Sequence, residues 1–105
     1  MDLLQGTLEM LILKILSSGK RHGYDISKRI LLLSNSRMKV GHGSMYPALH
    51  RLEKKGLIKS TLGQTQRGRV AKFYELTPHG RNQLDVEKQQ WRDFVDVIES
   101  ILEKG

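Results

Sequence analysis

The chain has 105 residues, a formal charge of +7, 38% hydrophobic residues and no cysteine. That length makes one domain, or one domain with an appended arm, around a single modest core. The missing cysteines exclude disulfides and thiolate–metal sites. The four histidines (His22, His42, His50 and His79) include no pair three or four residues apart that could chelate from one helix, so no metal or other cofactor is expected.

The apolar run at residues 10–15 is broken by Lys14 and carries no cleavage motif, so it does not read as a secretory signal. No run approaches the ~20 apolar residues that span a bilayer. A cytoplasmic protein with no membrane partner is the expectation.

Gln5 to Ser17 reads as a first helix, with Leu8, Leu11, Ile12 and Ile15 recurring on one face. A polar, glycine-flanked break follows from Ser18 to Gly23. The second helix is expected from Tyr24 to Leu33, burying Ile26, Ile30 and Leu33. A loop then runs from Ser34 to His42, with room for a short extended piece at residues 38–40.

The third helix, Ser44 to Lys55, has both ends marked. Ser44 suits the N-cap, because its hydroxyl can accept from an unpaired first-turn amide. Pro47 falls in the first turn by this reading, where a missing N–H costs little. Gly56 can take the left-handed conformation that closes a helix. Met45, Ala48, Leu49 and Leu52 make the apolar stripe, which leaves Tyr46, Pro47, His50, Arg51 and Lys54 on the outer face.

Two strands are expected next, Leu57 to Leu62 and Val70 to Leu76. They are joined by the polar tip Gly63–Arg69, which turns at Gly68. Tyr74 shares parity with Leu76 and is taken as the inward aromatic, with Phe73 on the other face under a further helix. Thr77 then caps a long last helix with Pro78 as its first residue, running to about Lys104. Leu84, Trp91 and Ile98 on this helix are each seven apart, as are Phe94 and Ile101, which gives a heptad-like seam. Gly80 costs a little helix propensity and gives room for close packing.

Charge is placed unevenly along this order. Residues 37–72 hold nine basic side chains and one acid, Glu53, whereas residues 85–104 hold six acids and three bases. A concentrated positive window suits a polyanion-binding surface. Three helices followed by a basic hairpin make a winged helix-turn-helix. The fold class is therefore mainly α with a β-hairpin: a winged helix-turn-helix domain over residues 1–76 and a long C-terminal dimerisation helix over residues 77–105. The last helix is too long for the domain to cover, so its N-terminal half is expected to fold back along the first helix of its own chain and its C-terminal half to meet a second copy in a two-fold dimer.

These residues also carry a family resemblance. The segments Leu4-Gln5-Gly6-Thr7-Leu8, His22-Gly23-Tyr24, Gly43-Ser44-Met45-Tyr46-Pro47-Ala48-Leu49-His50-Arg51-Leu52-Glu53, Gly56-Leu57-Ile58, Ala71-Lys72-Phe73-Tyr74-Glu75-Leu76-Thr77 and Gly80 resemble, in this order, the signature of the PadR family of bacterial transcriptional regulators. Met45 stands where leucine is commoner, and the tip at residues 64–69 is variable in such proteins. The chain is similar to the short members that end in one helix. The resemblance implies a homodimeric winged-helix repressor of near-palindromic operators, and such regulators often answer small aromatic or drug-like molecules.

The DNA-binding candidates are Ser44, Tyr46, Pro47, His50 and Arg51 on the third helix and Arg67, Arg69 and Lys72 on the wing. Arg51 can grip a guanine edge or a phosphate, or it can pair with a neighbouring acid. Tyr46 can reach a phosphate or sit as a half-buried brace for the hairpin. The wing cations can approach backbone phosphates or remain solvated. Trp91 reads first as an apolar anchor of the dimer, and second as half of an aromatic sandwich around a planar ligand. The runner-up function is a winged-helix protein-interaction module that never touches DNA. An enzyme is the weakest reading, because no catalytic triad, phosphate-binding glycine motif or carboxylate pair is recognisable.

Overall fold

The computed structural model describes residues 3–105. Its elements in chain order are α1 (Leu3–Leu16), β1 (Arg21–His22), α2 (Gly23–Leu33), α3 (His42–Lys54), β2 (Ile58–Gln64), β3 (Val70–Leu76) and α4 (Pro78–Lys104). Residues 1 and 2 of the expected first domain lie outside the described residues. Among the described residues no helix is long and apolar enough to cross a membrane.

Helix α1 is the centre of the fold. Its buried surface is wider than the expected stripe, because Leu13 and Leu16 join Ile12 and Ile15 in the core. It packs against α2, α3 and α4, and against β3. The core is completed by Ile26 and Ile30 from α2, all four stripe residues of α3, Leu57, Ile58, Tyr74 and Leu84. Leu33 does not belong to it. Together with Leu32 it stands exposed at the end of α2, since the buried arc of that helix is spent on Ile26 and Ile30.

The sheet has three strands in the order β1-β3-β2, all antiparallel. The two-residue strand β1 falls in the expected polar break and pairs Arg21 with Tyr74 and His22 with Phe73. It ends directly in α2, where His22 serves as N-cap: its Nδ1 accepts the Asp25 N–H at 3.2 Å. Tyr74 faces inward and is buried. Phe73 lies on the opposite face, where its ring and that of His22 meet edge to face at 5.3 Å. A Cβ on Gly63 would stand 2.9 Å from the Phe73 ring, so glycine there lets the aromatic lie flat across the wing.

Helix α3 begins two residues before Ser44. Gly41 is its N-cap, with no side-chain hydrogen bond, and the Ser44 and Met45 amides both donate to the Gly41 carbonyl. The His42 and Tyr46 rings stack one turn apart, 5.4 Å between centroids, and steady the first turn that a capping hydroxyl would otherwise hold. Ser44 is thus a first-turn residue and Pro47 an interior one. The carbonyl that Pro47 leaves without a helical partner belongs to Gly43, at an exposed position facing water. The other end is as expected. Gly56 has φ +73°, its N–H reaches the Glu53 carbonyl, and the Leu57 N–H reaches back to Leu52, which is the Schellman closure.

Thr77 caps α4 as expected, its Oγ1 accepting the Gly80 N–H at 3.0 Å. The same hydroxyl donates to the Gly56 carbonyl at 2.6 Å, and the Thr77 N–H reaches the Leu57 carbonyl. The start of α4 is therefore stitched to the end of α3. Leu84 is buried, while Trp91, Phe94, Val97, Ile98, Ile101 and Leu102 stand exposed beyond it. The molecule is 55 Å long against 30 and 22 Å in the other directions, because α4 projects past the body.

Candidate nucleic-acid interface

Three pieces of chain meet along one side of the body: the β1–α2 junction, the outer face of α3 and the hairpin β2–β3. Between them lies an open groove of about 1110 Å³. Of the expected DNA-binding residues, Tyr46, His50, Arg67, Arg69 and Lys72 all line it. The hairpin turns at Gly68 with φ +79°, where the Gly68 N–H donates to the Thr65 carbonyl and the Thr65 N–H to that of Arg69, so both tip arginines flank the turn. Ser44 and Pro47 are exposed on α3 but outside the groove wall.

Tyr46 is 45% exposed and rests against the start of α2: a Cβ on Gly23 would come within 3.3 Å of its ring. It packs against α2 and still lines the groove. Glu53, the one acid of the basic window, accepts the Ser60 hydroxyl at 2.6 Å and so ties α3 to β2. Burial pushes the Tyr74 phenol above its ordinary pKa, and the nearby Glu53 and Tyr46 add to the rise.

Arg51 is placed differently from His50. Its Nε lies 3.6 Å from Oε2 of Glu9, a nearly buried carboxylate on α1 that also accepts Lys55 Nζ at 3.2 Å. The partner is an acid from another helix, one the sequence separation hides.

The groove also contains residues that sequence reasoning left out. Lys20, Arg21, Tyr24 and Lys28 line it from the β1–α2 side. Arg21 is held by Asp25 at 2.8 Å, and the Lys28 ammonium lies 5.5 Å from the Tyr24 ring centre. The signal that could have found them is the His22-Gly23-Tyr24 segment together with the basic cluster around it. Among the described residues no group of histidine and acidic side chains could hold a metal ion. The arrangement offers fixed cations, hydroxyls and one imidazole along an open cleft, which suits contact with an extended anion.

Comparison with known proteins agrees with this geometry. The profile of the PadR-like family of transcriptional regulators matches residues 12–86. A transcriptional regulator from Clostridium thermocellum is 30% identical and superposes with a TM-score of 0.86 over 95% of this chain and 97% of its own. A PadR-like transcriptional regulator from Bacillus cereus is 33% identical, with a TM-score of 0.80, over 100% of this chain and 99% of its own. Protein X from Lysinibacillus sphaericus is 28% identical over 97% of this chain and 94% of its own. The two solved structures bear out the winged-helix fold with its long last helix, and both are transcriptional regulators rather than enzymes. With its profile matched across most of its length, the chain belongs to the PadR-like family of transcriptional regulators.

Proposed function

We propose that this regulator is a repressor that binds a near-palindromic operator as a homodimer through the α4 seam. The observation that carries the reading is the groove: five of the expected DNA-binding side chains converge there with Lys20, Arg21, Tyr24 and Lys28. In this reading α3 enters the major groove, where Tyr46 and His50 meet base edges or sugars and Ser44 and Pro47 lie at the front of the helix. Arg67, Arg69 and Lys72 on the wing, with Lys20 and Lys28 opposite, take backbone phosphates. Arg51, drawn back to Glu9, contributes charge rather than a base contact.

The uncovered apolar row on α4 supports the dimer, since six large apolar side chains in water between Trp91 and Leu102 are the form of an interface lacking its partner. Two copies would then present their third helices about 34 Å apart, to successive major grooves. A small aromatic or drug-like effector would be held between the two Trp91 rings and their Phe94 neighbours, whose centroids in one chain are 6.1 Å apart.

The test is titration of promoter DNA at rising salt. Affinity falls with a log–log slope of roughly −0.9 per phosphate neutralised. His50→Ala and Lys72→Ala each weaken binding, whereas Lys88→Ala on α4 leaves it unchanged. Salt-independent binding, or equal effects of all three substitutions, overturns the proposal and favours a protein-interaction module.

A further inference from the structure

Behind the recognition helix lies a charged cluster that the groove does not use. Glu9 on α1 is nearly buried, and its two oxygens face Arg51 on α3 and Lys55 at the C-cap of that helix. Glu87 on α4 lies within electrostatic reach of the same groups: the charges that act on it are Glu9 from α1 and Lys55 at the C-cap of α3. Oε2 of Glu87 is buried and has no hydrogen-bond partner, and the Arg51 Nε, although ion-paired with Glu9, is too far from it for a hydrogen bond. Three helices thus bring two carboxylates and two cations together at one junction, and one carboxylate oxygen lacks a donor.

A buried acceptor without a donor is costly, and a second carboxylate beside it raises that cost. A proton on Glu87 removes both penalties at once. It ends the repulsion of Glu9 and gives Glu87 an O–H to donate. Burial first, and Glu9 second, hold the Glu87 carboxyl above the usual glutamate range, while Lys55 pulls the other way.

We propose that Glu87 is a positioning residue that couples proton uptake at the α1–α4 contact to the charge presented by the recognition helix. With Glu87 ionised, the cluster of Glu9, Glu87, Arg51 and Lys55 is neutral overall, and Lys55 is shared between two acids. With Glu87 protonated, the cluster carries one net positive charge, and Lys55, which is 58% exposed, answers to Glu9 alone. The same proton that tightens α4 against α1 therefore makes the end of α3 more positive. Mild acid favours both the docked arm and the hold on DNA. This rests on the DNA-binding reading above for its output, but not for the proton site itself.

The sign for stability follows from linkage. A carboxyl whose folded-state pKa is raised contributes stability fully present below its unfolded value and lost as pH rises through the folded value. Glu87→Gln keeps the shape and imitates the protonated form at every pH.

The experiment uses the full chain in two arms. In the first, site-resolved carboxyl NMR follows Glu87 without DNA. The expected result is titration above the ordinary glutamate range, moving down toward it in Glu9→Gln. Titration in the ordinary range in the wild type overturns the inference, whatever the protein does with DNA. In the second arm, binding to a mixed-sequence duplex at low salt is measured against pH for wild type and Glu87→Gln. All other groups are common to the two proteins, so the difference between them isolates Glu87. The expected result is that Glu87→Gln binds roughly two- to fivefold tighter above the titration and equally below it. Parallel curves overturn the coupling. Absence of binding by either protein, with the first arm intact, overturns the DNA reading instead and, with it, the coupling's output.

Discussion

Gly80→Ala sets two effects of opposite sign against each other. On helix propensity alone, alanine in place of glycine in α4 stabilises by about 1 kcal/mol. The surroundings of Gly80 reverse that gain. A Cβ there would stand 1.9 Å from the Leu57 carbonyl oxygen, and 3.2 Å from Leu76 Cδ2. An ordinary carbon–oxygen contact is about 3.3 Å, so roughly 1.4 Å must be found. Leu57 cannot simply retreat, because the same oxygen accepts the Thr77 N–H at 3.1 Å and the next strand begins at Ile58. Forced expansion of a packed contact costs about 1–3 kcal/mol, and loss of that hydrogen bond about 1 more. The net expectation is a loss of about 2 kcal/mol, which lowers Tm by roughly 8–16 °C for a domain of this size. The assay is thermal unfolding by circular dichroism at one fixed protein concentration, since association would shift Tm by mass action. Gly43→Ala is the control: it lies in α3 with nothing within 4 Å of the new Cβ, and should hold or raise Tm. A Gly80→Ala protein as stable as the wild type, or more so, would refute the close-approach argument and leave propensity in charge.

Two further outcomes are expected. Trp91→Ala removes the largest side chain of the α4 seam and should weaken self-association by about 2 kcal/mol, near 30-fold, in sedimentation equilibrium; an unchanged association constant would place the dimer contact elsewhere. Because the Tyr74 phenol is raised in the folded state, stability is present below its unfolded value near 10 and is lost as pH climbs through the folded value. Tyr74→Phe should therefore unfold less steeply in alkali than the wild type, and identical alkaline profiles would refute this.

What could be read from the sequence was what local chemistry decides. Thr77 and Pro78 at one helix start and Gly56 at one helix end were legible, because a capping hydroxyl, a fixed φ and a left-handed glycine act within a few residues. Strand β1 was not. Two residues carry no period, and its existence depends on Phe73 and Tyr74, some fifty positions away. The start of α3 was misplaced because Ser44 is a plausible cap, whereas the stacking of His42 on Tyr46 that steadies the earlier turn leaves no composition signal. Leu33 looked like core by spacing, but periodicity fixes a helix face and not how far along it the neighbours extend. The candidate site divides in the same way. The wing cations and the outer face of α3 were visible as a charge window and a helix face. Lys20, Arg21, Tyr24 and Lys28 were missed because their place in the groove depends on how β1 aims the start of α2 at the hairpin. Glu9 was missed as the partner of Arg51 for a related reason: forty-two residues separate the two, and only the packing of α1 on α3 brings them together.

The Thr77 hydroxyl donates to Gly56 and accepts from Gly80, so a single oxygen finishes one helix and begins another. The consequence concerns the order of folding. The two bonds differ in reach: the one to Gly80 is local and can form as α4 nucleates, whereas the one to Gly56 spans 21 residues and can form only when the hairpin has returned the chain. Each helix has its own local stop or start, and the shared oxygen adds the link that fixes one end against the other once the wing is closed.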